Sequence, residues 1–183
     1  MLYISINEQK LYILDSVGNI NYSTQISTAY NGTGQQSGSY KTPLGLHFIS
    51  ELYGHNEPIN TVFVARRKTG EIFNNDLLKS FPNRDWILTR IIRLSGLEPD
   101  FNLGGDVDTY SRYIYIHGCP DSTDFSNPGS HGCVRVKNAD LINLFDMVAV
   151  GDIVFLENEV YNRNIFDSLL ARKKNNCNYS ESL

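Results

Sequence analysis

A mainly β fold is predicted on three observations. Short apolar or alternating segments recur from one end of the chain to the other, and β-branched and aromatic residues fill them. Asn, Asp, Gly and Pro break the chain between them. One stretch alone, residues 138–148, repeats its apolar residues at a clear helical period.

Taken in order, residues 2–6 and 10–14 read as a strand pair around Asn7-Glu8-Gln9, and residues 20–27 as a third strand after the turn at 15–19. Residues 31–38 are glycine-rich. A phosphate-binding fingerprint needs a helix directly after its glycines. Ser39-Tyr40-Lys41-Thr42-Pro43-Leu44-Gly45 opens none cleanly, so a flexible β connection is expected. Residues 46–49 and 61–65 read as strands, with His47 a packed or surface histidine and not a ligand. Residues 75–81 give one or two helical turns, stopped by Pro82. Residues 86–94 fit a helix face, but their β-branched density favours a strand. Residues 96–108, with Pro99, Gly104 and Gly105, read as an exposed loop of the kind that lines sites. At the clear helix, Asn138 is placed to cap, Asp140 complements the dipole, and Leu141, Leu144, Phe145 and Val148 face the core. Residues 153–156 make a last strand. From Tyr161 the chain turns polar. Ile165, Phe166, Leu169 and Leu170 allow one docked helix, with fraying or disorder expected beyond Ala171. The division is thus one domain over 1–160 and a polar tail over 161–183.

Composition narrows the function classes. With 183 residues, 41% of them apolar, 11 Tyr and 9 Phe, the chain can bury a core and is not disordered over most of its length. A net charge of −4 with no long basic run disfavours nucleic acid as a partner. No run approaches the ~18 apolar residues of a membrane span, so no membrane partner is expected. Met1-Leu2-Tyr3-Ile4-Ser5-Ile6 enters a strand directly, without the features of an export signal. The expectation is a cytoplasmic protein, or a periplasmic one if a leader has been cut away. Three cysteines, Cys119, Cys133 and Cys177, do not suggest a disulfide framework and suit a reducing compartment.

The chemistry concentrates in Tyr113-Ile114-Tyr115-Ile116-His117 and Ser130-His131-Gly132-Cys133-Val134-Arg135. These read as two short strands joined by a polar, turn-rich loop. A thiol needs a base or cation to become a nucleophile at neutral pH. His117 and His131 are the candidates; His131, two positions from Cys133, is tightly constrained, whereas His117 can approach across a strand pair. Alternation puts His117 on one face with Tyr113 and Tyr115, and Cys133 on one face with Arg135. A thiol beside a guanidinium suits attack on a peptide carbonyl near a carboxylate, which arginine can grip with two parallel hydrogen bonds. Gly132 lets a reacting carbonyl approach, and the N–H groups of Gly132 and Cys133 can form an oxyanion hole. Ser130 can orient His131 or the loop. Two other readings stand beside this one. Cys133 can be a small buried hydrophobe. The repeated His-Gly-Cys, at 117–119 and 131–133, supplies two nitrogens and two sulfurs for zinc, though the spacing within each repeat is shorter than usual.

The segment Ile116-His117-Gly118 … Ser130-His131-Gly132-Cys133-Val134-Arg135 resembles the signature of YkuD-type L,D-transpeptidases. Ile26-Ser27-Thr28-Ala29, Lys41-Thr42-Pro43-Leu44-Gly45, Trp86-Ile87-Leu88-Thr89-Arg90 and Gly104-Gly105-Asp106-Val107-Asp108-Thr109 agree with it, over residues 2 to about 156. The resemblance implies a β-sandwich with one or two helices, no metal and no cofactor. It implies acyl transfer on peptidoglycan stem tetrapeptides or muropeptides. Cys133 would be the nucleophile, His117 the base oriented by the Gly118 carbonyl, and Ser130, His131, Gly132 and Arg135 the substrate pocket. An amine acceptor gives a cross-link or amino-acid exchange, and water gives an L,D-carboxypeptidase. Two departures stand out. Position 119 is commonly Thr or Ser in such relatives, and Cys119 raises the hypothesis of a reversible disulfide with Cys133. The missing export signal makes trimming of recycled muropeptides in the cytoplasm an expected task. A non-catalytic wall-binding module or a secreted effector are the alternatives from another class.

Overall fold

A computed structural model of the chain describes residues 1–180, with side chains as far as Arg172. Among the described residues the strands are β1 (Leu2–Ser5), β2 (Lys10–Leu14), β3 (Ile20–Ser27), β4 (Gly45–Tyr53), β5 (Thr61–Val64), β6 (Arg67–Ile72), β7 (Ile87–Gly96), β8 (Tyr115–Gly118), β9 (Val134–Val136) and β10 (Ile153–Glu157). The helices are α1 (Asn75–Ser80), α2 (Asn138–Asp146) and α3 (Arg163–Ser180). The expected mainly β sandwich is present, and its layers are one continuous sheet ordered β4-β10-β1-β2-β3-β9-β8-β7-β5-β6. β4 pairs with both β10 and β7, which closes the sheet on itself. Its two edges serve the two neighbours, with His47 and Phe48 paired on both sides, and the register shift against β7 between Ile49 and Glu51 bends the strand.

Alternation explains the layering. In β1, Leu2 and Ile4 point into a core with Leu11, Ile26, Ile92, Leu94, Ile116, Val134 and Val136. Helix α2 fills that core with Leu141, Leu144 and Phe145. Tyr3, between them in sequence, faces the other way and packs with Tyr12, Leu46 and Phe155 beneath Phe166 and Leu169 of α3. Strand β1 is therefore buried on both faces. Among the described residues three α-helices stand where one or two were expected, because the turns at 75–80 and the segment after 161 both form. The fraying expected past Ala171 falls on the end of α3, where the side chains beyond Arg172, that of Cys177 among them, lie outside the described residues.

Asn138 does not cap α2. Lys137 occupies that position without a side-chain bond, and Asn138 is the first helical residue with its amide turned into the core. The 96–108 loop is not wholly exposed: Asn102 is fully buried and holds the carbonyls of Leu44 and Leu46. Its Oδ1 accepts the Glu98 N–H. His47 is packed, bonded through Nδ1 to Gly45 O and through Nε2 to Thr109 Oγ1. No helix among the described residues is long and apolar enough to cross a membrane.

Candidate active site

Strands β8 and β9 run parallel, with His117 paired to Arg135 and Ile116 to Val134. Extending the register by one residue sets Cys133 opposite Tyr115. Paired residues in a parallel ladder share a face, as do residues two apart in a strand. Tyr115, His117, Cys133 and Arg135 therefore face one side, while Ile116, Val134 and Val136 face α2. Cys133 and His117 are diagonal neighbours on that side, with Cα atoms roughly 8 Å apart by strand geometry. Both line one cavity of about 210 Å3. Tyr113 lines the same cavity, but from a turn before β8, at φ 58°, and not from the strand itself.

His117 is buried, and its Nδ1 lies 2.8 Å from Gly118 O. A carbonyl oxygen only accepts, so Nδ1 carries the proton and Nε2 the lone pair. Position 118 is fixed by what packs against it. A Cβ there would stand 2.3 Å from Asn138 Oδ1 and 2.7 Å from Leu88 O. Asn138 in turn donates to Cys119 O at 2.7 Å and accepts from Thr89 Oγ1 at 2.6 Å. Thr89 holds φ 69° inside the irregular β7–β8 register, an uncommon backbone for a β-branched residue.

Cys133 is half-buried. Its sulfur accepts the Tyr115 N–H at 3.4 Å and lies 3.5 Å from Tyr113 O. The turn before it is bound on both sides: Ser130 Oγ donates to Cys133 O and accepts the Gly132 N–H, and Thr42 Oγ1 donates to Gly132 O. Gly132 takes φ 128°, which a side chain would resist. Ser130 thus shapes the loop and not His131, whose ring meets Tyr40 edge-on. The Gly132 N–H is occupied by Ser130, so the oxyanion donor left of the expected two is that of Cys133. Arg135 is engaged as well, with Nη1 on Gly129 O and Nη2 on Asp85 Oδ1.

Two charged residues of this cavity were given no role by the sequence. Asp85 lines it from the segment before β7. Arg112 lines it too, and donates to Gly34 O, Gln35 O and Lys41 O, tying the glycine loop to the site. In the sequence it opens the stretch Arg112-Tyr113-Ile114-Tyr115-Ile116-His117-Gly118 that resembles the family, but a cation beside an aromatic strand carries no sign of its role. Burial pushes the Cys133 thiol up to about 12, and Asp85 adds to that, against the Tyr115 N–H, Arg135 and Arg112. Burial pushes His117 below the ordinary imidazole value, opposed by its Gly118 hydrogen bond and by Asp85.

Cys119 does not approach Cys133. It is buried with its sulfur on Val136 O, three residues along β9 from Cys133, or roughly 10 Å by strand rise. Disulfide formation needs Cα atoms within about 7 Å. The same placement separates the two His-Gly-Cys repeats, and among the described residues no three His, Cys, Asp or Glu side chains converge as ligands.

The family model described as the L,D-transpeptidase catalytic domain, YkuD, matches residues 1–156. No curated protein matches. Among solved structures, Bdellovibrio bacteriovorus Bd1075 is 17% identical at a TM-score of 0.56, aligned over 100% of this chain and 55% of that one. An L,D-transpeptidase from Mycobacterium smegmatis is 19% identical at 0.51, over 85% of this chain and 57% of that one. One from Xylanimonas cellulosilytica is 18% identical at 0.50, over 85% and 59%. This chain spans between half and three-fifths of the length of these neighbours, and at these identities the likeness is one of fold.

Proposed function

The chain belongs to the YkuD family of L,D-transpeptidase catalytic domains, and from that premise we propose that it transfers acyl groups through Cys133 on peptidoglycan stem tetrapeptides. The bond broken joins the third residue, at its L-centre, to the terminal D-alanine. Cys133 is the nucleophile, His117 the base, and the Gly118 carbonyl the group that orients it. Ser130, His131, Gly132 and Arg135 shape the substrate pocket. One observation carries the proposal. His117 spends Nδ1 on a group that can only accept, which leaves the lone pair on Nε2 in a cavity that Cys133 also lines.

The resting pair is neutral, since the thiol is pushed up and the imidazole down. Proton transfer and attack then proceed together. Nε2 takes the S–H proton as sulfur bonds to the carbonyl carbon. The Tyr115 N–H, Arg112 and Arg135 favour the charge that grows on sulfur, and the Cys133 N–H meets the oxyanion. Collapse breaks the C–N bond, the imidazolium protonates the departing D-alanine amine, and a thioester remains. Transfer to an amine makes a cross-link or exchanges the terminal amino acid. Transfer to water releases a tripeptide, which is L,D-carboxypeptidase action and the trimming that muropeptide recycling requires.

Incubating the protein with a free tetrapeptide tests this. D-alanine appears together with a peptide dimer if an amine is the acceptor, or with tripeptide if water is. Cys133→Ala releases none. Absence of D-alanine release by the unaltered chain overturns the proposal.

A further inference from the structure

A second cavity, of about 670 Å3, opens beside the first and is lined by Tyr30, Asn31, Tyr40 and Gly129. Asp85, Ser130 and His131 line both. Of these three, Asp85 alone carries a fixed negative charge. Its side chain is 52% exposed, and Oδ1 accepts from Arg135 Nη2 at 3.1 Å. Oδ2 has no protein partner among the described residues. The charge disfavours thiolate at Cys133, so it works against the first half-reaction. In the second half-reaction it favours a cation arriving from the larger cavity, where the exposed rings of Tyr30 and Tyr40 also attract positive charge.

We propose that Asp85 binds the ammonium group of an amine acceptor at the junction of the two cavities and delivers its nitrogen to the Cys133 thioester. The inference rests on the acyl-transfer proposal and deepens it by assigning the acceptor class: a primary amine held as a cation, over water. Two sources share this chemistry, the α-ammonium of a free D-amino acid and the side-chain ammonium of a second stem peptide. The step balances. The ammonium gives one proton to neutral His117, and its nitrogen attacks the thioester carbonyl. A C–N bond forms and the C–S bond breaks. The thiolate leaves and takes the proton from His117, and the second proton lost by nitrogen goes to solvent.

The test measures acceptor and donor KM separately, with a tetrapeptide donor and two acceptors, D-methionine and a stem peptide bearing a free side-chain amine. Asp85→Asn is expected to raise acceptor KM by roughly tenfold, the loss of one charge-assisted contact, and by more than it changes donor KM. Asp85→Glu, which keeps the charge, is expected to restore acceptor KM, and the acceptor with the larger shift identifies the source. Equal changes in both KM values overturn the inference, since Asp85 then acts only through Arg135. An unchanged acceptor KM, or an unaltered chain that releases D-alanine and passes its acyl group to water alone, overturns it while leaving the acyl-transfer proposal standing. Failure to release any D-alanine overturns both.

Discussion

Nδ1 of His117 and the carbonyl oxygen of Gly118 lie 2.8 Å apart, and that bond alone decides which ring nitrogen can serve Cys133. Burial holds the imidazole below its ordinary value of 6.5. The neutral form therefore persists into acid, and the acidic limb of kcat/KM falls at a pH below 6.5. A limb at or above that value contradicts the assignment of His117 as the buried base.

Gly118 is expected to tolerate no side chain. Gly118→Ala puts a Cβ 2.3 Å from Asn138 Oδ1 and 2.7 Å from backbone Leu88 O. The neighbours are a buried amide and a strand, so relief means moving β8. Urea unfolding should show a loss of about 2 kcal/mol. D-alanine release should fall on the order of 100-fold, because the carbonyl that holds His117 moves with it. Gly129→Ala, whose Cβ meets nothing nearer than 3.8 Å, should change stability by no more than about 0.5 kcal/mol.

His47 makes the fold acid-sensitive. Burial pushes it down to about 4, while the unfolded chain protonates the same ring near its free value of about 6.5. Between those values the unfolded state binds the extra proton, so stability is lost as pH falls from about 6.5 to about 4, by about 3 kcal/mol. His47→Gln removes this contribution. Its unfolding free energy, measured against pH, should fall less across that window than the unaltered chain's. Parallel curves contradict the prediction.

Oxidation separates the two described cysteines. Cys119 lies buried against Val136 O and Cys133 lines an open cavity. Mild peroxide should oxidise Cys133 and leave Cys119 a free thiol, with no loss of two hydrogens from the intact mass. A Cys119–Cys133 linked peptide contradicts the register of β8 and β9.

Much of this architecture was legible in the sequence, and the misses have physical causes. β1 and β2 run apolar because both of their faces are buried, β3 mixes polar and apolar residues because much of it is exposed, and the strand at 86–94 declared itself by β-branched density. β6, Arg67-Lys68-Thr69-Gly70-Glu71-Ile72, gave no signal, because it is an exposed edge with almost nothing to bury. Its turn from β5 places Ala65 and Arg66 at φ 47° and 67°, where the usual Asn-Gly marker is absent. Asn138 looked like a cap because capping uses the same amide that here holds Thr89 and Cys119. At the site, Cys133 and His117 stood out by residue type and spacing. Asp85 and Arg112 did not, because only the closed sheet brings the start of β7 and the glycine loop to the thiol.

Intact mass after incubation with a carbapenem tests the central claim most directly. The account predicts one covalent adduct per chain, mapped to Cys133, formed by the unaltered protein and absent from Cys133→Ser. An unmodified mass, or an adduct mapped to Cys119 or Cys177, contradicts it.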